Sequence, residues 1–359
     1  MAESQANLGL DEVRDRAWSV LARIERHGSE HFEIETNALG AVATTLAERH
    51  GHDTLPLGNG WWHLAEQAPD LLDQLAERLA GADAAERSRT GFDLALAWLI
   101  ERIRFPDRRD FAAGARHLLE GRYAGDRRMP WVDANGLQAT DDEQLRPVVA
   151  RLRNTLEEHP ELFGTHARFG VLFDHLPHDL DTHSLMRLLQ PVGQALTASS
   201  VLMGGKPLGD IWRMEGVAIG NPMPGLIPFH AFLQELMLDL VGPLAESGRE
   251  LRGLNTMPAP ATRERCNQML ALHIIRPRHA AVSRLIHPPG SDIVIELRCL
   301  VTALIDRLAD RVRSILDISV EQLPTVYLLH GIDTLAHERA GRSAGDQASA
   351  TIAIAGAVF

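Results

Sequence analysis

The sequence predicts a mainly α-helical protein with a small β component near the C-terminus. Three observations carry this reading. Apolar residues recur three and four positions apart over most of the chain, the spacing that lines one face of a helix. Short strand-like runs do not alternate with the helices, which excludes a doubly wound parallel sheet. No internal repeat and no heptad run is visible, which sets aside solenoids and coiled coils.

In chain order, residues 10–26 place Val13, Ala17, Val20, Leu21 and Ile24 on one face, and residues 37–49 do the same with Leu39, Val42, Ala43 and Leu46. Residues 51–60 hold His52, Asp53, Pro56 and the turn pair Asn59-Gly60, so they read as a loop. Helical spacing returns from Leu64 to Ala80 and again from Phe92 to Ile103, ending before Pro106. Residues 123–142 carry Gly125, Pro130 and Gly136 and read as irregular; residues 145–158 are helical. Residues 184–202 predict a helix stopped by Gly204-Gly205. Residues 214–228 are too rich in Gly and Pro for a long regular element, Phe229 to Ala245 is helical, and 255–262 is a Pro/Ala/Thr loop. The clearest helix is 292–316, with Ile293, Leu297, Leu300, Leu304, Leu308, Val312 and Ile315 on one stripe. Two short tail runs, Val326–Leu329 and Ala350–Phe359, predict strands.

The chain has 359 residues, enough for one large domain or two packed ones. We read a single domain over 1–359. Its possible subdivision is a helical lobe, 1–158, and a second lobe, 159–359, that carries the candidate site loops. Lys+Arg is 36 against Asp+Glu 48, a net charge of −12. That balance argues against nucleic-acid binding, which needs a basic surface to displace phosphate counterions. No basic segment followed by an apolar run opens the chain, and no window has eighteen uninterrupted apolar residues, so a cytoplasmic protein without a membrane partner is expected. Lys206 is the only lysine, so Schiff-base chemistry would have to use it. Cys266 and Cys299 are too far apart for a zinc knuckle or redox pair and read as buried thiols.

Several segments are candidates for chemistry. His27 and His31, four apart, lack the glutamate of a zinc-protease helix and read as a surface pair. The run from His175 to His183, with His178, Asp179 and Asp181, reads as a solvated turn or as a divalent-metal cluster. Trp61 and Trp62, followed by His63, read as core anchors or as a stacking platform. Asp210, Trp212 and Arg213 can polarise, stack on and fork to a small polar ligand; equally, Asp210 can be a helix cap in a salt bridge. His230 opens an apolar helix, where an imidazole is held neutral and an anion is favoured; it also reads as a buried histidine with one hydrogen bond. The Gly/Pro loop from Gly216 to Gly225 could close over a bound molecule.

These segments carry a resemblance. The opening Val13-Arg14-Asp15-Arg16-Ala17 and His31-Phe32, Trp61 with His63, Pro106-Asp107, Phe163-Gly164, Gly170 to Leu176, Leu208 to Arg213, Gly225 to His230 with Gln234, Ser291-Asp292 with Glu296 and Arg298, and the closing Val358-Phe359 come in one order. In that order they resemble the uracil-catabolism family of the ribosylurea route of pyrimidine degradation. The resemblance covers nearly the whole chain. Two departures matter. Gly60 and Trp62 stand where the family carries arginines beside the tryptophan. Leu254 to Thr262 replaces a family stretch bearing Glu, Arg and Asn.

The resemblance implies a hydrolase of a nucleoside- or nucleotide-like compound, most specifically one that cleaves the N-glycosidic bond of a ribosylurea-like substrate. Such chemistry needs no cofactor, and no metal ligands are assigned. A carboxylate would stabilise the oxocarbenium-like sugar and activate water. On this reading Asp210 is that carboxylate, Asp174 or Glu296 the second, and His230 the acid or anion-binding imidazole. Trp61 and Trp212 stack, His63 and Asp107 contact substrate, and Arg213 and Arg298 grip a phosphate or carboxylate. The alternatives are an amide or ureide hydrolase of an opened pyrimidine ring, and a non-catalytic ligand-binding member. The expected partner is a small molecule; the sequence does not set the oligomeric state.

Overall fold

In a computed structural model of the chain, the described residues are 8–50, 57, 62, 69–104, 132–133, 136–137, 145–197, 199, 201–214, 223–343 and 351–355. Trp61, His63, Asp107 and most of the 216–225 loop lie outside them, as does Val358-Phe359. The structure is mainly α-helical, as the periodicity predicts.

Helix α1 (Leu10–His27) is followed by strand β1 (Phe32–Ile34), α2 (Thr36–His50), α3 (Pro69–Arg78) and α4 (Ala84–Arg104). The short pair β2 (Val132–Asp133) and β3 (Gly136–Leu137) precedes α5 (Arg146–Glu158), α6 (Pro160–Phe163), a 3-10 turn at Phe169–His175, and α7 (Thr182–Leu196). Next come β4 (Leu202–Met203), β5 (Lys206–Pro207), β6 (Ile211–Arg213), β7 (Leu226–Pro228), α8 (Ala231–Asp239) and α9 (Val241–Glu246). The chain continues through α10 (Arg263–Ala271), β8 (Ile275–Pro277), α11 (Ala280–Arg284), β9 (Ile286–His287), α12 (Asp292–Leu316), α13 (Leu329–Ser343) and β10 (Ala353–Ile354).

Helix α12 is the spine. Apolar residues cover more than one stripe of it, which marks a helix buried on several sides. Val294, Leu297, Val301, Leu304 and Leu308 are fully buried, each contributing about 2 kcal/mol of burial. Helices α1, α2 and α10 pack on it. Asp292 sits in its first turn and Arg313 in its last, matching the helix dipole. One contiguous apolar core takes residues from both halves of the chain, from Leu10 to Ile354. None of the described helices is long and apolar enough to cross a membrane.

Among the described residues the strands pair only two by two. β1 joins β8 antiparallel, with Phe32 opposite Pro277; β6 joins β7 with Trp212 opposite Ile227; β9 and β10 run parallel. These pairs are scattered along the chain rather than confined to its C-terminal end. Three local expectations change. Val326–Leu329 is not a strand: Thr325–Leu328 form a 3-10 turn feeding α13. The apolar run is buried through a helical turn instead of an extended strand. The 184–202 helix begins earlier, because Asp181 accepts the Ser184 amide at 2.7 Å as an N-cap, and it ends at Leu196. The Phe229–Ala245 helix is two helices meeting at Leu240.

The 3-10 turn at Phe169–His175 packs on α4, with the Phe173 ring edge-on to Phe92. Gly170 makes that approach possible. A Cβ there would stand 2.2 Å from the Arg89 carbonyl oxygen, while the Gly170 amide donates to buried Asp93 at 2.7 Å. Gly170→Ala is therefore expected to destabilise the fold by about 1–3 kcal/mol. Thermal unfolding checks this; an unchanged midpoint would mean that the turn and α4 separate easily.

Candidate functional site

Gly209 permits the turn that delivers Asp210. Its φ of +79° disfavours any side chain, and a Cβ would meet the Gln194 Cα at 3.1 Å. The following residues form β6, whose alternation turns Trp212 inward and Arg213 outward. β7 lies beside it and leads through Phe229 to His230, a left-handed residue with φ of 50° that opens α8.

Asp210 is buried and saturated. Arg298 of α12 forks onto it, Nη1 to Oδ1 at 2.7 Å and Nη2 to Oδ2 at 2.6 Å. The Trp212 indole N–H donates to Oδ1 at 2.8 Å, and the Ala231 amide to Oδ2 at 2.9 Å. Asp210 thus caps α8 from twenty-one residues away, a task that the His230 side chain does not perform. Burial alone would raise the carboxyl. The Arg298 charge and bonds, with the Ala231 and Trp212 donors, more than offset it, so the carboxyl lies below its ordinary range. Arg298 also lies 3.9 Å over the Phe229 ring and donates Nε to the Ala261 carbonyl at 3.0 Å. A Cβ on Gly290 would press on the Trp212 ring at 2.8 Å.

The diverged 254–262 segment belongs to this assembly. Ala259 and Ala261 are buried. Thr302 and Arg298 bond their carbonyls, and Arg14 donates to the Thr256 and Met257 carbonyls. The segment therefore serves as a backbone brace between α1 and α12.

The structure brings Asp210, Trp212 and Arg298 together, with His230 beside them. Of the other expected residues that are described, Glu296, Asp174 and Arg213 stand apart from this group. Glu296 lies two residues before Arg298, so about 200° around α12, and accepts a hydrogen bond from the Ser29 hydroxyl. Burial raises its carboxyl, with the Ser29 bond opposing. Asp174 pairs with Arg89 at 2.8 Å on the 3-10 turn, and Arg213 is exposed. In the His175–His183 run, Asp181 is spent on the α7 cap, Asp179 lies 3.6 Å from Arg252, and His183 lies 3.4 Å from Asp11. Among the described residues no group of three His, Cys, Asp or Glu is placed to hold a metal ion.

Beside the saturated cluster lies a cleft of about 330 Å³. His230 forms part of its wall, with His159, His183, Arg187, Gln194 and Lys206. His230 Nε2 lies 2.7 Å from the Leu8 carbonyl oxygen. A carbonyl can only accept, so Nε2 carries the proton and Nδ1 the lone pair. Burial pulls the imidazole pKa down despite the Leu8 bond. Burial thus favours the neutral ring in the resting site, with Nδ1 as the acceptor.

Sequence reasoning missed Arg187 and Lys206. The available signal was Gly204-Gly205, read as a helix stop. Both glycines have positive φ, 58° and 81°, the form of a two-residue hairpin turn between β4 and β5. That hairpin delivers Lys206 to the cleft.

A family model described as a protein of unknown function, DUF1688, matches residues 123–354. The matched span holds Asp210, His230 and Arg298 together with most of the cleft wall; only the Leu8–Leu10 edge precedes it. A search of curated proteins gave no match.

Proposed function

This chain belongs to the DUF1688 family, and from that premise we propose that it is a hydrolase acting on a nucleoside- or nucleotide-like compound in the cleft beside His230. The observation that carries the reading is the committed tautomer of His230. Its Nε2–H is held by the Leu8 carbonyl, and the ring is kept neutral by burial. A neutral imidazole with a fixed tautomer, in the wall of a small cleft, is suited to take a proton from water. The substrate class comes from the resemblance to uracil-catabolism proteins of the ribosylurea route.

A ribosylurea-like compound offers two bonds to water. The cleft favours the ureide over the N-glycosidic bond. Lys206 and Arg187 line the cleft, and cations there stabilise an oxyanion on a carbonyl and oppose an oxocarbenium ion on a sugar. In the ureide reading, the water oxygen attacks the carbonyl carbon and His230 Nδ1 takes the water proton. The tetrahedral oxyanion collapses, the C–N bond breaks, and the imidazolium returns the proton to the departing nitrogen. N-glycosidic cleavage is the second reading, supported by the nearness of the Asp210 carboxylate to His230. It requires Arg298 or Trp212 to release an oxygen that each now holds.

The test incubates purified protein with ribosylurea, uridine and their 5′-phosphates. Ammonia release is expected. Urea with free ribose or ribose 5-phosphate would transfer the assignment to the glycosidic bond, and no turnover by folded protein would overturn the hydrolase reading.

A further inference from the structure

We propose that the Lys206–Arg187 end of the cleft is a binding site for a phosphomonoester dianion. This deepens the reading above, because it names the phosphorylated compound, rather than the free nucleoside or sugar, as the ligand of the same site. Several observations support it. The chain carries a net charge of −12, yet the described residues lining the cleft include Lys206 and Arg187 and no Asp or Glu. An acidic protein has thus gathered its only lysine and an arginine in one concavity.

Lys206 is presented firmly and unspent. The β4–β5 hairpin closes through the tight Gly204-Gly205 turn, so Lys206 follows a short, well-defined loop. Among the described residues Lys206 makes no ion pair. Among the described residues Arg187 gives one N–H to the Ser184 hydroxyl at 3.1 Å and makes no ion pair. Asp181 lies close enough to feel its charge, but that carboxylate is bound to the Ser184 amide as the α7 cap.

The charges match a phosphate better than a carboxylate. A phosphomonoester carries about −1.5 to −2 at neutral pH, which two cations balance; a single carboxylate leaves one cation unmatched. Gln190 and Gln194 also line the cleft and can add amide donors.

The remainder of the ligand can be hydroxylated. Pro191, inside α7, has no N–H to give the Arg187 carbonyl, so that oxygen lacks its usual helical donor where the cleft passes Arg187 and Pro191. A sugar hydroxyl can supply the missing donor. The volume of about 330 Å³ sits at the small end of ligand sites and suits a sugar phosphate.

Titration calorimetry on the full-length protein tests this with ribose 5-phosphate, inorganic phosphate, ribose and succinate. Ribose 5-phosphate is expected to bind at least about tenfold more tightly than ribose. Lys206→Ala and Arg187→Ala are each expected to weaken it by about tenfold, and Lys206→Arg to retain most of the affinity. Lys206 is exposed on a hairpin, so Lys206→Ala is expected to melt as the parent does. Equal binding of ribose and ribose 5-phosphate would overturn the proposal, as would undiminished ribose 5-phosphate binding by both alanine variants. Succinate binding as tightly as the phosphate ester would also overturn it, since the site would then select carboxylates. Binding is read without turnover. Phosphate-selective binding with no hydrolysis would defeat the hydrolase reading alone; hydrolysis of ribosylurea without phosphate-selective binding would defeat this proposal alone.

Discussion

Arg298→Ala is expected to cost the fold about 3–5 kcal/mol. Removing the guanidinium strips two donors from a buried carboxylate, one from the Ala261 carbonyl, and a cation from the face of Phe229. The largest part of the loss is the unpaired Asp210 charge, because desolvation is no longer offset. Urea unfolding monitored by far-UV circular dichroism measures it. Asp210→Asn combined with Arg298→Met should recover part of the loss, since neither partner then leaves a buried charge. The sign with pH follows from the lowered Asp210 carboxyl. Its stabilisation is complete above the unfolded-state value of about 3.9, and it is lost as pH falls through the lower folded-state value. At neutral pH the full difference between parent and Arg298→Ala is therefore expected. A loss under about 1 kcal/mol would mean that the cluster carries little of the fold.

His230→Asn is expected to lower kcat by about 10²- to 10⁴-fold while leaving the fold nearly intact. Asparagine tolerates the left-handed backbone found at His230 and suits a helix N-cap, so the variant removes the imidazole with little backbone strain. The pH profile separates chemistry from mere positioning. The neutral ring is the active form of a base, and burial lowers its pKa. Turnover of the parent should therefore rise with pH through an inflection below the ordinary histidine value of about 6.5 and stay level above it. In His230→Asn that inflection should vanish. A variant with parent turnover would remove His230 from the chemistry.

What the sequence disclosed, and what it did not, follows from the range of the forces involved. The stripe on 292–316 is local and strong, and α12 formed where it predicts. The boundaries of α7 were less legible, because its start depends on the Asp181 cap and its apparent C-terminal extension is the hairpin strand β4. β6 and β7 are three residues each and exist through pairing across the Met214–Gly225 interval; no alternation that short stands out. Asp210 and Trp212 were visible as a local group. Their partner Arg298 lies 88 residues away, and only the folded chain shows that it saturates the carboxylate. Glu296 and Arg298 looked like companions because they are neighbours in sequence, whereas helical geometry sends them to opposite sides. Lys206 is not legible as a cleft residue, because its setting, just after two glycines, reads as a helix end as readily as a hairpin turn.

A crystal structure of the protein with a non-hydrolysable ribosylurea 5′-phosphate analogue tests the central claim most directly. The account predicts the phosphate between Lys206 and Arg187, the ureide carbonyl within reach of a water held by His230 Nδ1, and Asp210 still bound by Arg298, Trp212 and Ala231. A ligand seated on the Asp210 carboxylate, with Arg298 displaced, would contradict it.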